Sequence, residues 1–303
     1  MHACHRLMFL FPLALAGHVL GQSALVPAPH PLITEVLAAV PSGPRGDANG
    51  DGTRDAIGDE FIELVNPHDK PIQLKGYMLV DSDGWAPGAA KPGIGAKPTP
   101  TPGAKPSDKP AATTPDDKPT PPQTSKPHDP GTDSTRAEVR FIFPEMELKP
   151  GQVVVVFNGY HQKFTGPVGD AAKAPTGPNE KFHDAMVFTM KNESPYAALA
   201  NEADFVLLVA PDGKPIHVVK WGKASKNPPK ETLLTEEAPA SIGSVQREGV
   251  HGKLVAHKDL KGDLAGTYCS PGVFSMTPGV DPPASTTPRT PPRSGGRPGG
   301  TKP

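Results

Sequence analysis

Apolar residues in this chain come in short runs, cut off by glycine, proline, asparagine and aspartate. The first run, Leu32-Ile-Thr-Glu-Val-Leu37, alternates well enough for a strand, with Ile33, Val36 and Leu37 as core positions. Further strands are predicted over residues 60–65 (EFIELV), 72–81 (IQLKGYMLVD), 137–143 (AEVRFIF), 152–157 (QVVVVF), 203–209, 216–221 and 240–247. Gly76 reads as a bulge or bend inside its run. Residues 185–190 (AMVFTM) read as a short strand or a helix turn. The run at 152–157 is apolar on both faces, which predicts a central strand. Pro211-Asp-Gly213 predicts a hairpin turn, and Asn66-Pro-His-Asp69 a second turn. Residues 160–182 and 223–237 read as loops, and residues 267–274 as a segment that packs the end down around a Pro271-Gly272 turn. About eight short strands at close spacing, with no long amphipathic helix, predict an all-β fold: an Ig-like antiparallel β-sandwich in preference to a barrel.

Composition narrows how much of the chain can fold. Of 41 prolines among 303 residues, 13 fall in residues 86–135 and 8 in residues 277–303. These stretches offer few large apolar side chains to offset chain entropy, so a disordered proline-rich insertion at 86–135 and a disordered tail at 275–303 are predicted. Roughly 180–190 residues then remain to build one domain, residues 31–274. The insertion sits at a hairpin tip, where loop-closure cost grows slowly with length.

Residues 1–21 have the pattern of a secretory signal peptide: His5 and Arg6, an apolar run from Leu7 to Leu15, and cleavage before Gln22. The apolar run is too short and interrupted for a membrane span. The address expected is secreted, cell-surface or periplasmic. Cys4 leaves with the signal, and Cys269 remains as a small side chain without an internal disulfide partner. Net charge is −1, from 31 basic and 32 acidic residues, which gives no case for nucleic-acid binding. Only the tail is one-sided, with Arg289, Arg293, Arg297 and Lys302 against Asp281. That pattern suits a solvated end or weak contact with an anionic cell surface.

Residues 46–66 (GDANGDGTRDAIGDEFIELVN) couple an acidic loop to a strand. Asp47, Asn49 and Asp51 stand at alternate positions, followed by Gly52, Thr53 and Asp55. This is the spacing of the first part of a twelve-residue calcium loop. Position 12 is Gly58 instead of glutamate, so Asp59 or Glu60 would have to close the shell. Two readings follow: a weak structural calcium site on a β scaffold, or a metal-free loop of Asx turns.

With the strands around it, this stretch resembles the lamin-tail domain family in its bacterial secreted form. The resemblance rests on Leu32-Ile-Thr-Glu-Val36, the acidic loop Gly46–Asp55, Asp59-Glu-Phe-Ile-Glu-Leu-Val-Asn66 and Pro71-Ile-Gln-Leu-Lys-Gly-Tyr-Met-Leu79. It continues through Leu148-Lys-Pro-Gly-Gln-Val-Val-Val-Val156, residues 199–208, Pro211-Asp-Gly213, Ser244-Val-Gln-Arg247 and Ser270-Pro-Gly272. The insertion at 86–135 and a long loop at 158–184 depart from the family pattern. The resemblance implies a compact Ig-like sandwich that serves as a non-catalytic module.

Candidate catalytic groups are sparse. His161 and the pair His183-Asp184 lack a known ligand spacing, and loop histidines are usually solvated. Glu60 and Glu63 are three apart on a strand, so they point to opposite faces, and Glu63 is expected to hydrogen-bond a neighbouring loop. Ser241, Ser244 and Ser270 lie in no nucleophile-elbow pattern. Trp85 and Trp221 suit either a sugar platform or a core residue and a loop anchor. The expected function is therefore a monomeric, exported, non-enzymatic binding or structural module for a protein or cell-surface glycan. The rivals are a calcium-dependent carbohydrate or adhesion module and, from another class, a metal-dependent hydrolase.

Overall fold

A computed structural model describes residues 26–85, 139–196, 198–224 and 226–276. Residues 1–21, read from the sequence as a signal peptide, the stretch 86–135 and nearly all of the tail lie outside the described residues. In chain order the strands are β1 Leu32–Leu37, β2 Phe61–Val65, β3 Ile72–Gln73, β4 Met78–Asp81, β5 Arg140–Ile142, β6 Glu147–Leu148 and β7 Val153–Phe157. They continue with β8 Met186–Thr189, β9 Asp204–Val209, β10 Pro215–Trp221, β11 Leu234–Glu237, β12 Val245–Arg247 and β13 Leu254–Ala256. The helical pieces among the described residues are 3-10 turns of three or four residues, so the fold is all-β. No helix among the described residues is long and apolar enough to cross a membrane.

The strands form a six-stranded sheet in the order β13-β12-β1-β2-β7-β8, a five-stranded sheet in the order β11-β10-β9-β4-β5, and a small β3-β6 pair. Register assigns the faces. Val36 pairs with Ile62, Ile62 with Val156 and Val156 with Phe188, so these share one face of the larger sheet. Phe188 meets Phe141 and Phe143, from β5 and just after it, with ring centroids 5.6 Å apart in both cases. This face is therefore turned toward the five-stranded sheet, whose Leu79, Val206, Leu208 and Val219 join the same hydrophobic cluster. Edge-to-face rings of this kind contribute about 0.5–1.5 kcal/mol per pair beyond area burial.

The expectation of purely antiparallel sheets is not met. β7 pairs parallel with β8, and β10 parallel with β11. A parallel pair needs a long return connection, and that connection must lie over one face of its sheet. From the sequence, residues 223–237 read as a loop; the chain between β10 and β11 makes the return, and Leu234–Glu237 form β11. Ala224 packs on Val80, Phe205, Leu207, Val209 and Val218, which form a second apolar cluster on the outward face of the smaller sheet. The Lys226 ammonium ties the strap to the Asp83 carbonyl at 3.3 Å. Residues 158–185 make the return from β7 to β8, and Phe164 and Phe182 from it pack on Phe157. Phe157 pairs with Phe61, so this contact is on the outward face of the larger sheet. Both sheets are thus covered on both sides, which is why Val153–Phe157 and Asp204–Val209 are buried throughout.

Three other expectations shift in detail. The run 72–81 divides into β3 and β4, because Gly76 takes a left-handed turn (φ 81°) and donates its N–H to the Phe143 carbonyl. Residues 185–190 form a strand, not a helix turn. The run 240–247 contributes only Val245–Arg247, and β6, β11 and β13 were not anticipated. The Pro211-Asp-Gly213 hairpin is present, with the Gly213 N–H on the Ala210 carbonyl at 2.9 Å.

Phe188 is fully buried where the two sheets meet the β5 aromatics. Phe188→Ala is expected to lower unfolding free energy by about 3–5 kcal/mol, read as a lower urea midpoint at unchanged slope. A loss under about 1 kcal/mol would mean that this ring is not a core contact.

Candidate functional site

The acidic loop is built by its own side chains. Both Asp47 oxygens accept backbone N–H groups, from Asp51 at 3.0 Å and Gly52 at 2.9 Å. Asn49 Oδ1 accepts from the Asp51 N–H at 2.8 Å, and Asp51 Oδ1 from the Thr53 N–H at 2.8 Å. Asp55 Oδ1 accepts from Ile57 and Gly58. Thr53 is exposed and supplies its backbone N–H. This is a chain of Asx turns. Among the described residues no group of three or more His, Cys, Asp or Glu side chains is arranged to hold a metal ion.

Asp59 works from inside the loop. It is fully buried, and its Oδ1 accepts from the Asn49 N–H at 3.0 Å and Gln162 Nε2 at 3.0 Å, while Oδ2 accepts from the Asp55 N–H at 2.6 Å. These bonds fit a staple between the two limbs of the loop and leave little capacity to close a calcium shell. Asp47, Asn49 and Asp51 keep side-chain oxygen lone pairs that the Asx-turn bonds do not use. Burial pushes the Asp59 carboxyl up to about 6, with Asp47 nearby adding to the rise and backbone N–H groups opposing it. Gly58 is the departure at position 12, and the fold explains it. A Cβ there would lie 2.2 Å from the Tyr160 carbonyl oxygen, so no side chain fits.

The β7–β8 return closes over this loop. The Lys163 N–H donates to Asp51 Oδ2 at 3.1 Å, and the Lys181 ammonium donates to the Gly50 carbonyl at 2.8 Å. The Asp51 carboxyl is held below its usual range. Its burial works the other way, and the N–H groups of Lys163 and Thr53, the Asn49 amide and the Lys181 charge outweigh it. The backbone of this return is strained at His161, His183 and Asp184, which have φ between 54° and 66°, and Lys191 just after β8 has φ 51°. His161 stacks on Tyr160, with ring centroids 3.8 Å apart. His183 caps the 3-10 turn Glu180–Phe182.

The other residues considered for chemistry have holding roles. Glu60 accepts the Leu199 N–H at 3.0 Å. Glu63 accepts the Thr34 hydroxyl at 2.8 Å and the Gly272 N–H at 2.8 Å, which is the loop contact expected of it. The two glutamates have different partners. Ser241 donates to the Ser244 carbonyl, while Ser244 and Ser270 both donate to Glu35. Trp85 packs on the outward apolar cluster, and the Trp221 indole N–H donates to the Ala200 carbonyl at 2.7 Å. Cys269 is partly buried against the core, and burial pushes its thiol up.

Two groups escaped the sequence reading. Glu35 is fully buried and pairs in register with Glu63. His217 is fully buried between the sheets. Its Nδ1 accepts the Ile33 N–H at 3.1 Å, where the β1–β2 register shifts, so the ring hydrogen is on Nε2 and faces Glu236 at 2.8 Å. Burial holds His217 below its usual range, against the pull of Glu236. Arg247 donates to the same carboxylate and to the Gly252 carbonyl. Glutamate, histidine and arginine inside otherwise apolar strand runs were the available signal.

An open cleft of about 480 Å³ lies where the ends of β1 and β10 meet the loop between β11 and β12. Val36, Ala39, Trp221, Ile242 and Val245 line it, with Glu202 and Lys258 as its charged groups. Its walls are fixed by buried polar contacts. The Asp204 carboxylate accepts the Ala200 N–H at 2.9 Å, Trp221 holds the Ala200 carbonyl, and the Gly243 N–H donates to the Ala39 carbonyl at 3.0 Å. Ile242 is 69% exposed beside the cleft, the most exposed of the large apolar side chains described. No protein-family model matches this chain, and no curated protein matches it.

Asp59→Asn places an amide N–H against the Asp55 N–H, or against the Asn49 N–H after a flip. It is expected to cost about 1–3 kcal/mol, seen as a lower melting temperature and faster proteolysis between residues 47 and 58. A variant as stable as the parent would remove Asp59 as the staple.

Proposed function

We propose that this chain is an exported, non-catalytic module with an Ig-like β-sandwich of lamin-tail type, which binds a protein or glycan at the cell surface. The signal-like first 21 residues support export. The binding reading is carried by the cleft, whose size is that of an ordinary ligand site and which sets Trp221 and the exposed Ile242 together. A preformed concavity with an apolar floor and a few polar groups on its rim suits recognition of an extended chain. The non-catalytic reading is supported by what the buried acids do. Glu35, Glu60, Glu63, Asp59 and Asp204 each accept at least one backbone N–H from a loop.

The test uses the purified mature protein on immobilised cell-wall polysaccharide and on extracellular protein from the producing cells. Retention on one of these matrices is expected, and Ile242→Asp should weaken it at least tenfold at an unchanged melting temperature. Equal retention of the variant, or none by the parent, would sink the cleft as the binding surface.

A second reading adds calcium as a stabiliser of residues 47–59, supported by the lone pairs left on Asp47, Asn49 and Asp51. Saturating calcium is expected to raise the melting temperature by about 2–4 °C for each kcal/mol of binding linkage, and Asp51→Asn to abolish the rise. An identical melting curve in calcium and in chelator would end this reading.

A further inference from the structure

The larger sheet carries two glutamates side by side on its outward face, under the last described segment of the chain. Glu35 and Glu63 are register partners across β1 and β2, and both are fully buried. Residues 268–274 lie over them. The Ser270 N–H reaches Glu35 Oε1 at 3.0 Å, the Ser270 hydroxyl reaches Glu35 Oε2 at 3.2 Å, and the Gly272 N–H reaches Glu63 Oε2 at 2.8 Å. Gly272 is obligatory here. Its φ is 90°, and a Cβ would lie 2.1 Å from the Phe182 carbonyl oxygen of the β7–β8 return.

The two carboxyls are unequally supported. Glu35 also accepts the Ser244 hydroxyl, and His257 Nε2 stands 3.7 Å from its Oε1. His257 Nδ1 is 3.1 Å from the Thr267 carbonyl, which only accepts, so this nitrogen carries a hydrogen. Its Nε2 is 2.8 Å from the Ser270 hydroxyl. Glu63 has two neutral donors, Thr34 and Gly272, and among the described residues no cation within ion-pair distance. Cys269 is a further titratable group beside the pair, and the Glu35 charge helps to raise its thiol. Two adjacent buried carboxylates facing one histidine do not both ionise cheaply. The Thr34 hydroxyl can reverse and accept a hydrogen from Glu63 Oε1, which gives a proton on Glu63 a partner.

We propose that the Glu35–Glu63 pair is a proton-operated latch: Glu63 holds one proton in the closed fold, and losing it loosens residues 268–274 from the sheet. Burial first, and the Glu35 charge second, raise Glu63 well above the ordinary glutamate range. The sign follows. Unfolded Glu63 ionises near 4.5, whereas the folded residue keeps its proton to higher pH, so folding takes up a proton in between. The stability is complete below about pH 4.5 and is lost as pH rises through the folded value. This latch is independent of whether the cleft binds anything.

Glu63→Gln is neutral at every pH and retains an oxygen for Gly272 and a donor for Thr34. Urea unfolding of parent and E63Q across pH 4 to 9 should show the ratio of their folding constants moving toward the variant. The steepest change should be about tenfold per pH unit, followed by a plateau. Comparing the two proteins cancels Asp59, whose carboxyl titrates in the same range. Amide exchange at Ser270 and Gly272, corrected for intrinsic base catalysis, should lose protection with pH in the parent and not in E63Q. If E63Q does not fold, infrared spectra of the parent with carbon-13-labelled glutamate decide the matter, because a protonated carboxyl band is expected at neutral pH. A ratio independent of pH, equal protection in the two proteins, or absence of that band would overturn the latch.

Discussion

The two parallel strand pairs constrain everything else in this fold. An antiparallel neighbour can be reached by a hairpin, but β8 and β11 can be joined to β7 and β10 only by chain that crosses a sheet face. Each sheet therefore gains an outer cover from its own return segment. Sheets covered on both faces can use continuous apolar strands, and Val153–Phe157 and Asp204–Val209 are such strands. The same covering has a cost. A return segment without regular structure brings backbone N–H groups into a dry layer, and each needs an acceptor.

Loops elsewhere in the fold meet the same demand, and buried carboxyl groups supply their acceptors. Asp204 takes N–H groups from Ser82, Ala200 and Phe205. Glu60 holds Leu199, Asp59 holds Asn49 and Asp55, and the Glu35–Glu63 pair holds Ser270 and Gly272. A carboxyl group suits this role because its two oxygens can accept several bonds. The arrangement is stable only while every partner is present, since a lone buried polar group costs about 1–3 kcal/mol. His217 follows the same logic with the opposite charge preference: its unprotonated Nδ1 satisfies the Ile33 N–H exposed by the register shift in β1.

The strands were legible because their signal is local. Apolar runs between turn residues located β1, β2, β4, β7, β9 and β10, and the turn at Pro211-Asp-Gly213 joined the right pair. Pairing direction was not legible, because a parallel and an antiparallel neighbour have the same side-chain period. β11 was invisible for a related reason. As an edge strand beside a single neighbour it reads Leu-Thr-Glu-Glu, with only Leu234 apolar. The loop contact of Glu63 could be anticipated because a glutamate in a buried run needs a partner. Its pairing with Glu35 could not, since it depends on how β1 and β2 are registered. The cleft was also hidden, because its lining comes from segments more than two hundred residues apart.

The acidic loop and the unusual β7–β8 return are parts of one device. The carboxylate oxygens of Asp47, Asp51, Asp55 and Asp59, crowded into a short loop, repel one another unless positive partners are near. In this fold the partners are N–H groups within the loop, the Gln162 amide, the Lys163 N–H and the Lys181 ammonium. Three of these four kinds of contact come from, or depend on, the return segment lying where it does. Gly58 is what lets the segment approach, since any side chain there would strike the Tyr160 carbonyl. Position 12 of the calcium-loop pattern therefore has no room for a side chain. It is the contact point at which a lysine-bearing segment of the chain closes over the loop, so that a protein cation and backbone dipoles offset part of the loop's negative charge.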